Sequence, residues 1–148
     1  MKVIDRFSGE FGFLSNFYPC SVPMDGIVYP SVEHAYQAAK TTNEDDRHVV
    51  LSCPTPAMAK KLRKHIVVRE NWKNIKFPIM SLLVREKFKD PLLSNLLIKT
   101  GDYLLIEGNW WGDRYWGVCN GVGCNHLGKI LMSVRTHIME NINERCIA

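Results

Sequence analysis

The stretch Tyr29-Pro30-Ser31-Val32-Glu33-His34-Ala35-Tyr36-Gln37-Ala38-Ala39-Lys40 decides how the rest of this 148-residue chain is read. A serine directly after a proline supplies an N-cap oxygen, Glu33 places an acid in the first turn, and nothing up to Lys40 breaks a helix. Helical spacing then sorts the side chains. Val32, Ala35 and Ala39 form an apolar side, while Glu33, Tyr36, Gln37 and Lys40, at i, i+3, i+4 and i+7, form one polar stripe. A solvated face with a Glu/Lys pair fits that stripe, and so does a cleft wall. The tyrosine and glutamine within it, and the aromatic loops flanking it, give the cleft equal standing. An acid and an amine two turns apart suit chemistry at an anomeric carbon, where one moves protons and the other stabilises or captures an electrophile.

Outward from this helix, residues 2–6 read as a short strand. Residues 17–23 and Ile27–Tyr29 read as a hairpin around Met24-Asp25-Gly26, with Asp-Gly at the turn. Thr55 with Pro56, the periodic stretch 77–88, and Asp90 with Pro91 each signal a further helix, the last bearing Leu92, Leu93, Leu96 and Leu97. Residues 103–107 read as a buried strand. Asn125 starts a long final helix with Leu127, Ile130, Leu131, Val134 and Ile138 on one face. The expected class is α+β: a single helix-rich domain over residues 1–148 with a small, mainly antiparallel sheet. No repeat or linker divides the chain.

A composition of 46% hydrophobic and 23% charged residues is that of a packed globular protein, which argues against disorder and a membrane class. No apolar run approaches the ~18 residues that span a bilayer, and the first residues lack the apolar core of a signal peptide, so a cytoplasmic, unanchored protein is expected. The net charge of +4 is compatible with a phosphate-bearing partner without requiring one. Five irregularly spaced cysteines suit free thiols in a reducing compartment. Cys119, Cys124 and His126 lack a CxxC pair or a fourth ligand, so no metal is expected.

Other stretches carry candidate chemistry. Residues 108–117, GNWWGDRYWG, set Trp110, Trp111, Tyr115 and Trp116 beside Asp113. Packing around tight glycine turns accounts for part of that clustering. A stacking wall for a planar base, with Asp113 accepting from a sugar hydroxyl or activating water, accounts for the rest. Asn16 and Phe17 lie in an aromatic segment where a turn asparagine under the core is the plainer explanation. Gly121-Val122-Gly123-Cys124-Asn125 leads into a helix start, a place that favours anions. The basic run Lys60, Lys61, Arg63, Lys64 and His65 reads first as a solvated face and second as a phosphate or nucleic-acid footprint.

Taken in order, FLSNFYP at 13–19, YPSVEHAYQAAK at 29–40, KF at 87–88, TGD at 100–102, EGN at 107–109, GDRYWGV at 112–118 and NHLGKILMSVR at 125–135 resemble the NADAR (YbiA-like) family. The resemblance covers nearly the whole chain. It implies an N-glycosidase-type hydrolase that cleaves the bond between ribose and a nitrogen base, without metal or redox cofactor. The implied substrates are phosphoribosylamino-pyrimidine intermediates of riboflavin synthesis, or ADP-ribosylated guanine in nucleic acid. Glu33 and Lys40 are then the catalytic pair, with Asp113 as a third catalytic candidate. Asn16, Phe17, Tyr36, Gln37, Trp110, Trp116 and Asn125 are the substrate-binding candidates. Leu62-Arg63 stands where the family often has Leu-Gly. The rival reading is a non-catalytic module that binds ADP-ribose or a nucleotide through the same aromatic residues.

Overall fold

The computed structural model describes every residue, Met1–Ala148. The chain forms two compact units, one made of Asn16–Lys87 and the other of Met1–Ser15 together with Phe88–Ala148.

In the unit Asn16–Lys87, strands β2 (Val22–Met24) and β3 (Ile27–Tyr29) form the expected antiparallel hairpin. Asp25 and Gly26 take φ of 50° and 79°, the two positive values a tight two-residue turn requires. Helix α1 (Val32–Ala39) follows, capped by Ser31, whose side chain accepts from the His34 N–H. Helix α2 (Glu44–Leu51) is capped by Asn43 and α3 (Pro56–Lys61) by Thr55, which leads into a 3-10 turn at Leu62–Lys64; α4 covers Trp72–Lys87. Helix α1 packs against α2, α3, α4 and the hairpin, and all eight of its residues are buried. Alanines at 35, 38 and 39 let the neighbouring helices come close.

The stripe Glu33, Tyr36, Gln37 is therefore not a solvated face. Two other details depart from the sequence reading. Helix α4 starts at Trp72, five residues before the expected position. It tolerates Pro78 because Pro78 and Asn74, whose carbonyl loses the missing N–H, both face water. Helix α2 carries little signal in the sequence, since only Val50 of its eight residues is buried and its amphipathic pattern is correspondingly thin.

In the other unit, strand β1 (Val3–Ile4) pairs in parallel with β4 (Leu104–Leu105), and β5 (Gly108–Asn109) pairs in parallel with β6 (Val118–Cys119). A 3-10 helix at Gly9–Leu14, helix α5 (Pro91–Lys99) with its Asp90 cap, and the long α6 (His126–Ile147) complete it. The core gathers Ile4, Phe13, Leu14, Leu97, Leu105, Leu127, Leu131 and Val134. A side chain at Gly128 would collide with the Leu105 carbonyl, so this glycine lets α6 lie directly on β4. Arg135 of α6 donates to Thr100 Oγ1 at 2.8 Å and to the Tyr103 carbonyl at 3.0 Å, which gives two of the quoted motifs a structural purpose.

The class α+β, rich in helix, is what the chain adopts. The mainly antiparallel sheet is corrected to three two-stranded pairs, of which only the hairpin is antiparallel. Turn signals reveal local hairpins, whereas a parallel pair cannot be closed by a two-residue turn and leaves no turn motif. No helix is long and apolar enough to cross a membrane.

Lys87, the last residue of α4, is 1% exposed, and burial pulls its ammonium down to about 8, with Cys20 acting weakly the other way. A lysine whose folded value lies below its unfolded one makes stability rise with pH, here between about 8 and the ordinary lysine value. Below that window the folded chain carries the full cost of the buried charge, about 3 kcal/mol. Lys87→Met is expected to melt higher than wild type at pH 7, with the gap closing by about pH 10. A constant gap in thermal melts across that range, or a variant that melts lower throughout, would contradict this.

Candidate active site

The candidate site is built on α1. Glu33 is 7% exposed, its backbone N–H donates to the Asn16 carbonyl at 3.0 Å, and its Oε1 accepts from Gln37 Nε2 at 2.7 Å. Burial raises the Glu33 carboxyl above the ordinary range, opposed by the Gln37 hydrogen bond and by the charges of Lys60, Lys40 and His34. Two turns on, Lys40 lies half-buried with its Nζ 5.1 Å from the centre of the Tyr36 ring. Burial lowers its amine; Glu33 opposes that, while Arg63, Lys60 and Lys76 reinforce it. The environment thus drives the acid up and the amine down, toward two neutral groups on one helix.

His34, also on α1, is held from both ends. Ser31 Oγ lies 2.7 Å from Nδ1, and Nε2 lies 2.9 Å from the Cys53 carbonyl. A carbonyl only accepts, so Nε2 carries a proton, and in the neutral ring Nδ1 then accepts from the serine hydroxyl. This bridge fixes the start of α1 and hence the direction in which Glu33 points. Tyr36 packs on Trp72 of α4 at 5.2 Å between ring centres. Asn16 reaches Met80 Sδ of α4 with its amide at 3.5 Å, and exposed Phe17 lies beneath Lys60 Nζ at 5.9 Å.

Asn16, Phe17, Glu33, Tyr36, Gln37 and Lys40 therefore belong to one unit, with neighbours that the sequence does not assign. Lys60 and Arg63 sit in the basic run that reads first as a solvated face, and no motif singles out Lys76. Tertiary packing brings Lys60 and Arg63 of that run to bear on Lys40.

Trp110, Asp113, Trp116 and Asn125 belong to the other unit. Asp113 Oδ1 accepts from the N–H groups of Tyr115 and Trp116 at 3.1 and 2.9 Å, and Asn109 closes the same loop from the other side. Trp116, Tyr115 and His126 stack edge to face, whereas Trp110 is 86% exposed beside Trp111. Asn125 takes a left-handed φ of 53° and spends its amide on the Glu107 N–H and the Leu105 carbonyl. The glycine turn before it does not form an anion cradle. The N–H groups of Cys124, Asn125, His126 and Leu127 donate to carbonyls of residues 114–117, so the loop itself fills the start of α6. No three His, Cys, Asp or Glu side chains gather as a metal site.

Fold and site together define a small α+β protein with a buried carboxylate and a half-buried amine two helical turns apart. The NADAR domain model matches residues 5–139, and the chain belongs to that family. A relative from Nostoc punctiforme named as an N-glycosidase is 37% identical over 135 residues, covering 86% of each chain. N-glycosidase YbiA of Escherichia coli is 32% identical, covering 88% of this chain and 84% of that protein. A riboflavin biosynthesis protein of Vibrio vulnificus is 40% identical over 134 residues, but the chain spans only 36% of its length. The solution structure of Escherichia coli YbiA superposes with a TM-score of 0.84 at 30% identity, covering 97% of this chain and 90% of that one.

Proposed function

We propose that the α1 site hydrolyses the C–N bond between a ribose and a nitrogen base. The observation that carries this reading is the opposed pair on one helix: a buried Glu33 held toward its acid form and a half-buried Lys40 held toward its neutral amine. Groups whose surroundings favour their neutral forms in this way are equipped to donate a proton and to attack carbon. The relatives named as N-glycosidases match nearly their whole length, which favours the same reaction class.

In this reading Lys40 Nζ attacks ribose C1, and the bond to the base breaks as Glu33 delivers a proton to the leaving nitrogen. Glu33, now a carboxylate, takes a proton from the bound nitrogen and passes it to the ring oxygen, the C1–O bond breaks, and the opened sugar remains as an imine on Lys40. Water adds at the imine carbon and releases the sugar, returning the amine and the acid. Lys60, Arg63 and Lys76 bring three further positive charges toward Lys40, which favours a sugar bearing phosphate.

The substrates to compare are a phosphoribosylamino-pyrimidine and ADP-ribosylated guanine in DNA, with the released base read by mass spectrometry. Release from the first alone favours a free phosphoribosyl compound, and release from the second alone a nucleic-acid adduct. Binding of ADP-ribose without release from either would replace hydrolysis with a nucleotide-binding role.

A further inference from the structure

Gln37 is 2% exposed, and its amide is used at one end only. Nε2 donates to Glu33 Oε1 at 2.7 Å, while Oε1, equally buried, meets no donor. A buried side-chain carbonyl without a donor is uncommon in folded proteins and calls for a reason. The two ends of an amide are nearly the same size, and the terminal torsion of glutamine is broad and two-fold. A half turn about that torsion exchanges acceptor for donor without displacing a neighbour.

Glu33 is a group that needs such a partner. As a carboxylate it only accepts, and the Gln37 N–H satisfies it. As an acid protonated at Oε1 it offers an O–H at that contact, and the same 2.7 Å then calls for a carbonyl. We propose that Gln37 is a positioning residue whose amide follows the proton on Glu33, holding the carboxylate through N–H and, after a half turn, the acid through C=O. The inference rests on Glu33 being the proton carrier of the proposed hydrolysis. A group that gives up and regains a proton in one turnover keeps its orientation in both states by this means. The amide's other end changes at the same moment from acceptor to donor. The charged and titratable groups acting on the pair are His34 of α1, Lys40 at its C-cap and Lys60 of α3. Lys76 of α4 and Arg63 of the 3-10 turn act on Lys40 in turn.

The test is a pH titration of the full chain by NMR, following the Glu33 carboxyl carbon and the Gln37 side-chain amide together. Both signals are expected to move with one midpoint, above the ordinary carboxylate range. In Gln37→Met the carboxylate loses its donor, so the Glu33 midpoint should rise by about one pH unit. The limb of kcat that Glu33 controls should rise with it, leaving KM nearly unchanged. A Gln37 amide that stays still while Glu33 titrates overturns the proposal, and the wild-type protein alone decides that. An unmoved Glu33 midpoint in folded Gln37→Met overturns it equally. Coupled titration with a pH-rate profile that ignores it would uphold the link between the two side chains and remove Glu33 as the proton carrier.

Discussion

Glu33→Gln is expected to lower kcat by about 10²–10⁴-fold, the usual contribution of a positioned acid or base. The substitution preserves volume, and an amide oxygen at the same place still accepts from Gln37 Nε2. Stability should hold or improve. A carboxyl whose folded titration lies above its unfolded one costs stability as pH rises through that window, and this cost is then present at neutral pH. The substituted amide does not titrate, so the cost disappears with the carboxylate. The pH-rate limb lying above the ordinary carboxylate range should vanish in the variant, and its melt should match or exceed that of wild type at about pH 7. Turnover within a few-fold of wild type in a folded variant would remove Glu33 from the chemistry.

Lys40→Arg should be inactive despite keeping its charge, because a guanidinium stays protonated and forms no imine with a sugar carbon. Its expected loss is as large as that of Glu33→Gln. Borohydride added during turnover should reduce the imine to a secondary amine and leave the sugar on the peptide that contains Lys40. The opposing influences on this amine make the outcome informative. Burial and the cations Arg63, Lys60 and Lys76 favour the neutral nucleophile, and Glu33 alone favours the ammonium. An active Lys40→Arg enzyme that yields no adduct would leave direct attack by water, activated by Glu33, with Lys40 reduced to binding the substrate.

Local signals in this chain name local structure. Ser31, Thr55 and Asp90 mark three helix starts because each cap involves N–H groups two or three residues away. Asp25-Gly26 marks the hairpin because only such residues accept two positive φ values at little cost. The stripe Glu33, Tyr36, Gln37, Lys40 is equally visible, since helical geometry places those positions together whatever surrounds them.

Tertiary structure decided what that stripe faces. The alternatives of solvated face and buried wall differ only in whether α2, α3 and α4 close over α1, and that depends on packing among segments far apart in the chain. The same closure raises the acid, lowers the amine and brings Lys60 and Arg63 to bear on it. Burial of Lys87, which a sequence pattern would assign to the surface, is equally a product of the fold. The parallel pairings of β1 with β4 and β5 with β6 were settled in the same way. Sequence by itself determined the helix caps, the hairpin turn and the order of polar groups on α1, because these arise from interactions within a few residues. Which of those groups lose their water, and which charges reach them, was decided only by the fold, because desolvation and Coulomb energy depend on distance through space.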